Sequence, residues 1–136
     1  MSKFHYLFFT LFILLAAIAL AINHVKESDL ASDFSVTSGH YVGFSRGVKT
    51  GGGIRFSYLV GGQRYVEKCK SPSVSCQKNL FLYDKILKSK SWVVLYERGN
   101  PENSEILIFL DQYKKYGLEV PDSLYREVRL LSDCTN

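Results

Sequence analysis

The feature that most constrains this chain is an uncharged apolar stretch at its N-terminus. Residues 4–22 read FHYLFFTLFILLAAIALAI and contain no Asp, Glu, Lys or Arg. As an α-helix, this stretch would extend about 28 Å at roughly 1.5 Å per residue, which is enough to cross the hydrocarbon core of a bilayer. The sequence therefore predicts a transmembrane anchor over 1–23 that contacts membrane lipid through residues 4–22.

A cleaved signal peptide is the main alternative to a retained anchor. Ala17-Ile18-Ala19 and Ala19-Leu20-Ala21 offer the small-x-small pattern of a cleavage site, and Lys3 supplies a minimal charged end. Against cleavage, the apolar run is longer than a usual signal core and no polar segment precedes those alanines. We therefore expect a single-pass membrane protein, with secretion after cleavage as the alternative and a buried helix of a soluble protein as a third reading.

The side of the membrane follows only from the cysteines. One lysine flanks the apolar run on each side, Lys3 and Lys26, so the positive-inside rule does not choose an orientation. Cys69 and Cys76 frame CKSPSVSC, a short loop that a disulfide could close for about 2 to 3 kcal/mol of stability. Such a bridge needs an oxidising compartment, which favours a periplasmic or extracellular C-terminal domain. Two free thiols are the alternative.

Beyond the anchor, the sequence predicts a polar linker over 24–35 and one small β domain over 36–131. Residues 36–46 alternate like a strand, with His40, Val42 and Phe44 on one face. Ile54 to Val60 alternate again, and Gly61-Gly62 predicts a tight hairpin with Val60 opposite Gln63. The expected fold is mainly β: an N-terminal transmembrane helix, then a small antiparallel sheet or partly open barrel of about five strands with one to three short helices.

The stretch WVVLYERGNPENSEILI, residues 92–108, predicts a central strand and its partner. Trp92 to Tyr96 are apolar on both faces, which is typical of an interior strand. Proline cannot donate a ladder hydrogen bond, so Asn100-Pro101 is expected to leave the sheet, with Asn100 forming an Asx-turn and Ser104 capping the restart. The turn chemistry alone accounts for this motif.

Short helices are expected on either side of this strand pair. Residues 79–88 have weak helical spacing. Asp111 is predicted as the N-cap of a helix that Gly117 ends. After Pro121, the residues Leu124, Val128 and Leu131 form one apolar stripe. These helices could cover an edge or an end of the sheet.

Charge and residue types exclude several function classes. Without Lys3, 16 basic residues face 13 acidic ones, a net charge of +3 that does not call for nucleic acid. Residues 64–90 are more basic and could contact anionic headgroups or simply be solvated. The three histidines, His5, His24 and His40, form no catalytic pattern with a nucleophile, and no metal-ligand spacing or cofactor motif is present. We expect no enzyme activity, no cofactor and no metal.

The chain resembles a bacterial family of small membrane-anchored domains of unknown function. The resemblance lies in GGGIRFSYLVGGQRYVEK, in WVVLYERGNPENSEIL and in YKKYGLEVPDSL, over about residues 36–125. A V-x-V-x-Y-x-x-x-N-P-x-x-S strand-turn-strand motif falls on Val94, Tyr96, Asn100, Pro101 and Ser104. The resemblance implies a tethered, compact and mostly antiparallel β domain, and it implies no catalytic residue. The Cys69/Cys76 pair is not part of the family pattern.

Three functions are compatible with these features. The first is a membrane-anchored envelope protein that binds or scaffolds an unknown protein partner without catalysis, using exposed aromatics at Tyr58, Tyr65, Tyr83 and Tyr113. The second is a membrane-tethered immunity or inhibitor protein. The third is a thiol-redox protein or enzyme that uses Cys69 and Cys76.

Overall fold

The protein begins with one long helix that continues well past the apolar stretch. The computed structural model describes residues 3–45, 53–70 and 80–133, and its first helix, α1, covers Lys3–Ser32. The part Phe9–Ser32 has a mean hydropathy of 1.9 over its most apolar window, and none of that window is buried in the protein. It is therefore apolar and long enough to span a membrane or to act as a signal sequence.

The predicted linker over 24–35 is not irregular chain. Those residues form the last turns of α1 and the start of strand β1, Phe34–Ser45, so that only Asp33 separates helix from strand. The polar, mixed-charge composition of the segment suggested a linker, but Leu30 is buried at 4% exposure and the Arg98 amide donates to the carbonyl of Asp33 at 3.3 Å. Tertiary contacts of α1 with the β domain thus hold the segment in regular structure.

Five strands form one antiparallel sheet, as predicted. After β1 come β2 (Gly53–Val60), β3 (Gln63–Lys70), β4 (Trp92–Glu97) and β5 (Asn100–Leu107), in the spatial order β3-β2-β1-β4-β5. The sheet curls enough for its two outer strands, β3 and β5, to contact each other. The fold is therefore a half-barrel, with β4 as an interior strand between β1 and β5.

The β2–β3 hairpin has the predicted register. Val60 pairs with Gln63, and Gly61 and Gly62 both adopt positive φ, at 57° and 84°. Positive φ at both turn positions is the geometry of a type I′ turn, which glycine adopts without steric cost.

A β-bulge in β1 corrects the predicted face of Phe44. Tyr41 pairs with Phe56, whereas Gly43 pairs with Arg55, so one extra residue is inserted between them. The bulge shifts the alternation by one residue. Phe44 therefore pairs with Ile54 and lies against Tyr41, with ring centroids 5.4 Å apart, instead of sharing the face of His40 and Val42.

Helix α2, Leu80–Lys88, covers the inner side of the half-barrel. The indole Nε1 of Trp92 donates to the carbonyl oxygen of Leu87 at 2.9 Å. The hydroxyl of Tyr41 donates to a carboxylate oxygen of Asp84 at 2.8 Å. Because Lys88 and Tyr41 both bond this carboxylate, the pKa of Asp84 lies below its usual value.

Helix α3, Leu110–Lys115, packs on the opposite side, over β4 and β5. The hydroxyl of Tyr116 donates to Glu105 at 2.5 Å, and its ring meets the ring of Phe34 edge-on with centroids 5.7 Å apart. The predicted N-cap, Asp111, is wrong. The side-chain oxygen of Gln112 instead accepts the free backbone amides of Ile108 and Phe109 at 2.8 and 3.0 Å, and Gly117 ends the helix region at φ 64°.

Helix α4, Tyr125–Asp133, completes the core from the end of the sheet. Its stripe of Leu124, Val128 and Leu131 is buried, as predicted. The backbone carbonyl of Leu131 accepts the hydroxyl of Tyr83 at 3.0 Å, which ties α4 to α2.

Candidate functional site

The Asn-Pro motif lies inside the sheet, not outside it. β5 begins at Asn100, which pairs with Glu97, and the two turn residues are Arg98 and Gly99. The next pair is Tyr96 with Ser104, so residues 101–103 form a bulge opposite one peptide bond of β4. The missing N–H of Pro101 is tolerated because β5 is an edge strand that is already irregular there.

This bulge joins α1 to the half-barrel. The side-chain amide of Asn103 donates at 2.9 Å both to the carbonyl of Lys26 in α1 and to the carboxylate of Glu97. The carbonyl of Pro101 accepts the hydroxyl of Tyr58 from across the curl of the sheet. Asn103 was missed at the sequence level because its main partner is 77 residues away in the chain. These contacts attach the bulge to α1, β4 and β2.

The seam between β3 and β5 collects charged groups from three elements. Glu67 of β3 pairs with the buried Phe56 and lies near Glu102 of β5 and Lys26 of α1. Burial, and then repulsion from Glu102, raise the pKa of Glu67, while Lys26 opposes the shift. The ionised Glu67 is thus a cost to the folded state at neutral pH.

Replacing Glu67 by glutamine should therefore stabilise the protein at pH 7. A carboxyl with a raised folded pKa stabilises the fold in its protonated form, and this contribution is lost as the pH rises through the raised value. We expect a gain below about 1 kcal/mol at pH 7, because solvent screens a partly exposed group, and almost none near pH 3, where the acid is largely protonated in both states. Pulse proteolysis of the full chain in urea at several pH values would measure it.

The matched control for that variant is Glu119→Gln, at an exposed position. Its unfolding midpoint should follow that of the wild type at every pH. A Glu67→Gln advantage of equal size at pH 3 and pH 7 would contradict the assignment of the effect to titration of this carboxyl.

The cysteine pair falls partly outside the described residues. Cys69 is the next-to-last residue of β3, where it pairs with Ile54, and Cys76 lies in the segment 71–79 that the structure does not describe. The disulfide therefore remains a prediction.

The tyrosines predicted to be an exposed binding set are not exposed. Tyr58, Tyr83 and Tyr113 keep 2%, 1% and 2% of their surface, and Tyr65 is partly buried against Tyr58 with ring centroids 5.6 Å apart. The buried hydroxyls of Tyr58, Tyr83 and Tyr113 each donate to a backbone carbonyl, which allows a polar ring to enter the core. Burial raises the pKa of Tyr58 and that of Tyr113 to about 12.

The exposed surface that stands out is the outer side of β1, β2 and β3. We call it the open face and define it by the outward residues of the three strands, which are Val36, Ser38, His40, Val42, Arg55, Ser57, Leu59, Arg64, Val66 and Lys68. Four of them are aliphatic side chains that keep 41% to 58% of their surface in solvent. α3 covers the outer side of β4 and β5, whereas no described helix covers the open face.

A groove of about 750 Å³ runs along this face. Its lining includes Ser38, His40 and Val42 of β1, Ser57 and Leu59 of β2, and Arg64 of β3. The Arg64 guanidinium donates to the Ser57 hydroxyl at 3.4 Å, and His40 Nδ1 lies 3.4 Å from the Ser91 hydroxyl. The groove thus combines aliphatic walls with hydroxyl, imidazole and guanidinium groups.

The open face shows no assembled catalytic centre. His40 has Ser91 as its described polar neighbour, and no carboxylate of a described residue bonds it. Within the described ranges 3–45, 53–70 and 80–133, no group of three His, Cys, Asp or Glu side chains is placed to hold a metal ion. The arrangement can offer contact area, hydrogen bonds and positive charge to another molecule.

Comparison of the chain with protein-family models, with curated proteins and with solved structures finds no match. The resemblance to small membrane-anchored bacterial domains therefore stays a prediction, and the site is interpreted from its own geometry.

Proposed function

We propose that this protein is a single-pass, membrane-anchored envelope protein that binds a partner protein through the open face, without catalysis. The observation that carries the proposal is the asymmetry of the sheet. α2 covers the inner side and α3 covers the outer side of β4 and β5, while the outer side of β1–β3 leaves Val36, Val42, Leu59 and Val66 in water. Exposed aliphatic side chains on one face, with hydroxyl and basic groups between them, suit a protein interaction site.

The long α1 helix supports the anchored form of the protein. The helix is continuous through the alanines that resemble a cleavage site, and its last turns contact β1, β4 and β5. The hydrogen bond between Asn103 and Lys26 and the burial of Leu30 join the domain to the last turns of α1, so a retained anchor would hold the domain close to the membrane surface. A periplasmic or extracellular position of the domain is part of the proposal and follows from the cysteine argument.

Site-specific photo-crosslinking in intact cells tests this function. p-Benzoyl-L-phenylalanine would replace Leu59, which is 58% exposed in the groove, in the full-length tagged chain. We expect a discrete protein adduct in membranes that have been washed with carbonate, because the anchor keeps the chain in the bilayer. The matched control places the same residue at Tyr125, which is 50% exposed on α4 and lies off the open face.

The two positions separate specific from random capture. Equal adduct patterns at Leu59 and Tyr125 would indicate collision, and no protein adduct at Leu59 would contradict the proposal. Release of the full-length chain by carbonate would contradict the anchor.

A further inference from the structure

The positive charge of this protein is concentrated in the part of the chain that builds the open face. Between Phe34 and Tyr83 there is one acidic residue, Glu67, against seven basic ones, which are Arg46, Lys49, Arg55, Arg64, Lys68, Lys70 and Lys78. From residue 84 onward, nine acidic residues face eight basic ones. The excess charge thus belongs to one segment of the chain, and Arg55, Arg64 and Lys68 of this segment lie on the open face.

Strand register places two of these cations directly opposite each other. Arg55 of β2 pairs with Lys68 of β3 on the open face. Like charges at directly opposed positions repel and destabilise a sheet. Glu67 does not offset them, because it pairs with Phe56 and alternates to the inner side of the sheet.

The cations of the open face form no ion pair with any residue that the structure describes. Lys88, Lys90, Arg98 and Lys115 each form an ion pair at 2.6 to 3.7 Å. Among the residues that the structure describes, none forms an ion pair with Arg55, Arg64 or Lys68. Their charge is therefore available to a bound molecule.

Cations and aliphatic side chains alternate along the edge strand of this face. Arg64, Val66 and Lys68 follow one another at every second residue of β3, and Val66 lies opposite Ser57. An extended chain has the same two-residue period, so its acidic and apolar side chains can match this row. Guanidinium and ammonium groups bind carboxylates by charge-assisted hydrogen bonds.

We infer that the partner of the open face is a protein that presents an extended acidic segment, whose carboxylates bind Arg55, Lys68 and Arg64. This inference rests on the proposed function and names the chemistry of the partner. Aliphatic side chains of the same segment contact Leu59 and Val66. The bound carboxylates relieve the repulsion between Arg55 and Lys68. This relief contributes favourably to the free energy of binding.

A protein segment fits this face better than an anionic bilayer does. The groove of about 750 Å³ beside Leu59 and Arg64 can receive side chains of an extended segment, whereas a flat bilayer would bridge it. The exposed residues of the open face include no Trp, Tyr or Phe, the side chains that anchor proteins at a membrane interface. Phe34 of β1 lies on the same side but packs against Tyr116. The exposed apolar residues are short aliphatics, which suit packing against another protein.

The test adds charge reversal to the crosslinking at Leu59. The double change Arg55→Glu with Lys68→Glu should reduce the yield of the protein adduct at least tenfold. In the chain that carries only the crosslinker at Leu59, the crosslinked peptide of the partner should contain Asp or Glu near the attachment point. Changing those partner acids to lysine should restore the adduct with the reversed variant. The control, Arg126→Glu with Arg129→Glu, alters net charge equally at two exposed positions of α4 and should leave the yield unchanged.

Folding of the variants can be checked independently. The double reversal keeps two like charges opposite each other, so its urea midpoint should match that of the wild type. The single change Arg55→Glu creates an opposed pair with Lys68 and should raise the midpoint slightly.

Each outcome separates this inference from the function on which it rests. An adduct that the double reversal leaves unchanged, or an attachment site without nearby acids, would overturn the acidic partner and leave protein binding intact. If adducts formed with lipid alone, the inference of an acidic protein segment would be wrong and the open face would contact the bilayer. Absence of any adduct at Leu59 would contradict the proposed function itself.

Discussion

Replacing Trp92 by alanine is expected to lower the free energy of unfolding by about 3 to 5 kcal/mol. Trp92 is the largest fully buried side chain, with 1% of its surface exposed, and its indole N–H holds the C-terminal end of α2 through the carbonyl of Leu87. Alanine would leave a cavity and an unsatisfied carbonyl. Single domains are stable by only about 5 to 15 kcal/mol, so the variant should be partly unfolded in mild urea.

Pulse proteolysis of the full chain in detergent micelles and urea measures this change without using tryptophan fluorescence. Trp92→Phe is the informative control, because it keeps an aromatic ring in the core while it removes the hydrogen bond to Leu87 and part of the indole volume. It should cost about 1 to 2 kcal/mol. An alanine variant that loses less than the phenylalanine variant would contradict the packing described for this site.

The second large effect is expected at Gly39, where β1 passes closest to its neighbours. A Cβ atom at this position would lie 2.5 Å from Cγ2 of Val94 and 3.0 Å from the backbone carbonyl oxygen of Ser57. Gly39 pairs with Trp92 on one side and with Tyr58 on the other, so neither strand can move away freely. Gly39→Ala should therefore destabilise the protein by about 1 to 3 kcal/mol through overpacking.

Gly43 provides a control in the same strand. Nothing lies within 4 Å of a Cβ built there, and its φ is not positive. Gly43→Ala should be neutral or stabilise by up to about 1 kcal/mol, because alanine restricts the unfolded chain. Equal losses at the two glycines would show that general strand propensity, not the contact with Val94, controls the effect.

A double variant identifies the atoms that clash at Gly39. Val94→Ala removes Cγ2 and is itself costly, since Val94 is fully buried. The combined Gly39→Ala/Val94→Ala variant should lose less stability than the sum of the two single variants, because residues in contact are coupled. Additive losses would place the strain at the Ser57 carbonyl instead.

The local elements of this fold follow from short-range chemistry that the sequence displays. Gly61-Gly62 between two alternating runs determines a type I′ turn. That turn places Val60 opposite Gln63. The alternation of β2 and the stripe of α4 are equally local, because side-chain direction repeats every two residues in a strand and every 3.6 in a helix. The N-terminal apolar run needs no further context to be recognised as a helix that suits a membrane.

The contacts that position the candidate site are of another kind. Periodicity shows that one face of a strand is apolar, but not what covers it. Tyr58, Tyr83 and Tyr113 are amphipathic, and their burial depends on carbonyls of Pro101, Leu131 and Leu107 that only the folded chain brings near. The prediction from the sequence therefore singled out these tyrosines as a group but wrongly placed them on the surface instead of in the core.

Two further differences have the same origin. The bulge after Tyr41 reverses the direction of every later residue in β1, and a single inserted residue leaves no clear mark on the apolar pattern. The end of α1 is fixed by burial of Leu30 and by Asn103, whose partner Lys26 is 77 residues away. Neither contact exists until the sheet has curled.

The sequence by itself determined an apolar helix, an antiparallel β domain and the turn at Gly61-Gly62, because each depends on neighbours along the chain. The tertiary structure decided which parts of the sheet the helices cover and that Arg55 lies opposite Lys68. Those features depend on how residues distant in the chain pack and pair. The free-energy differences between alternative packings and pairings are set only when the whole half-barrel forms.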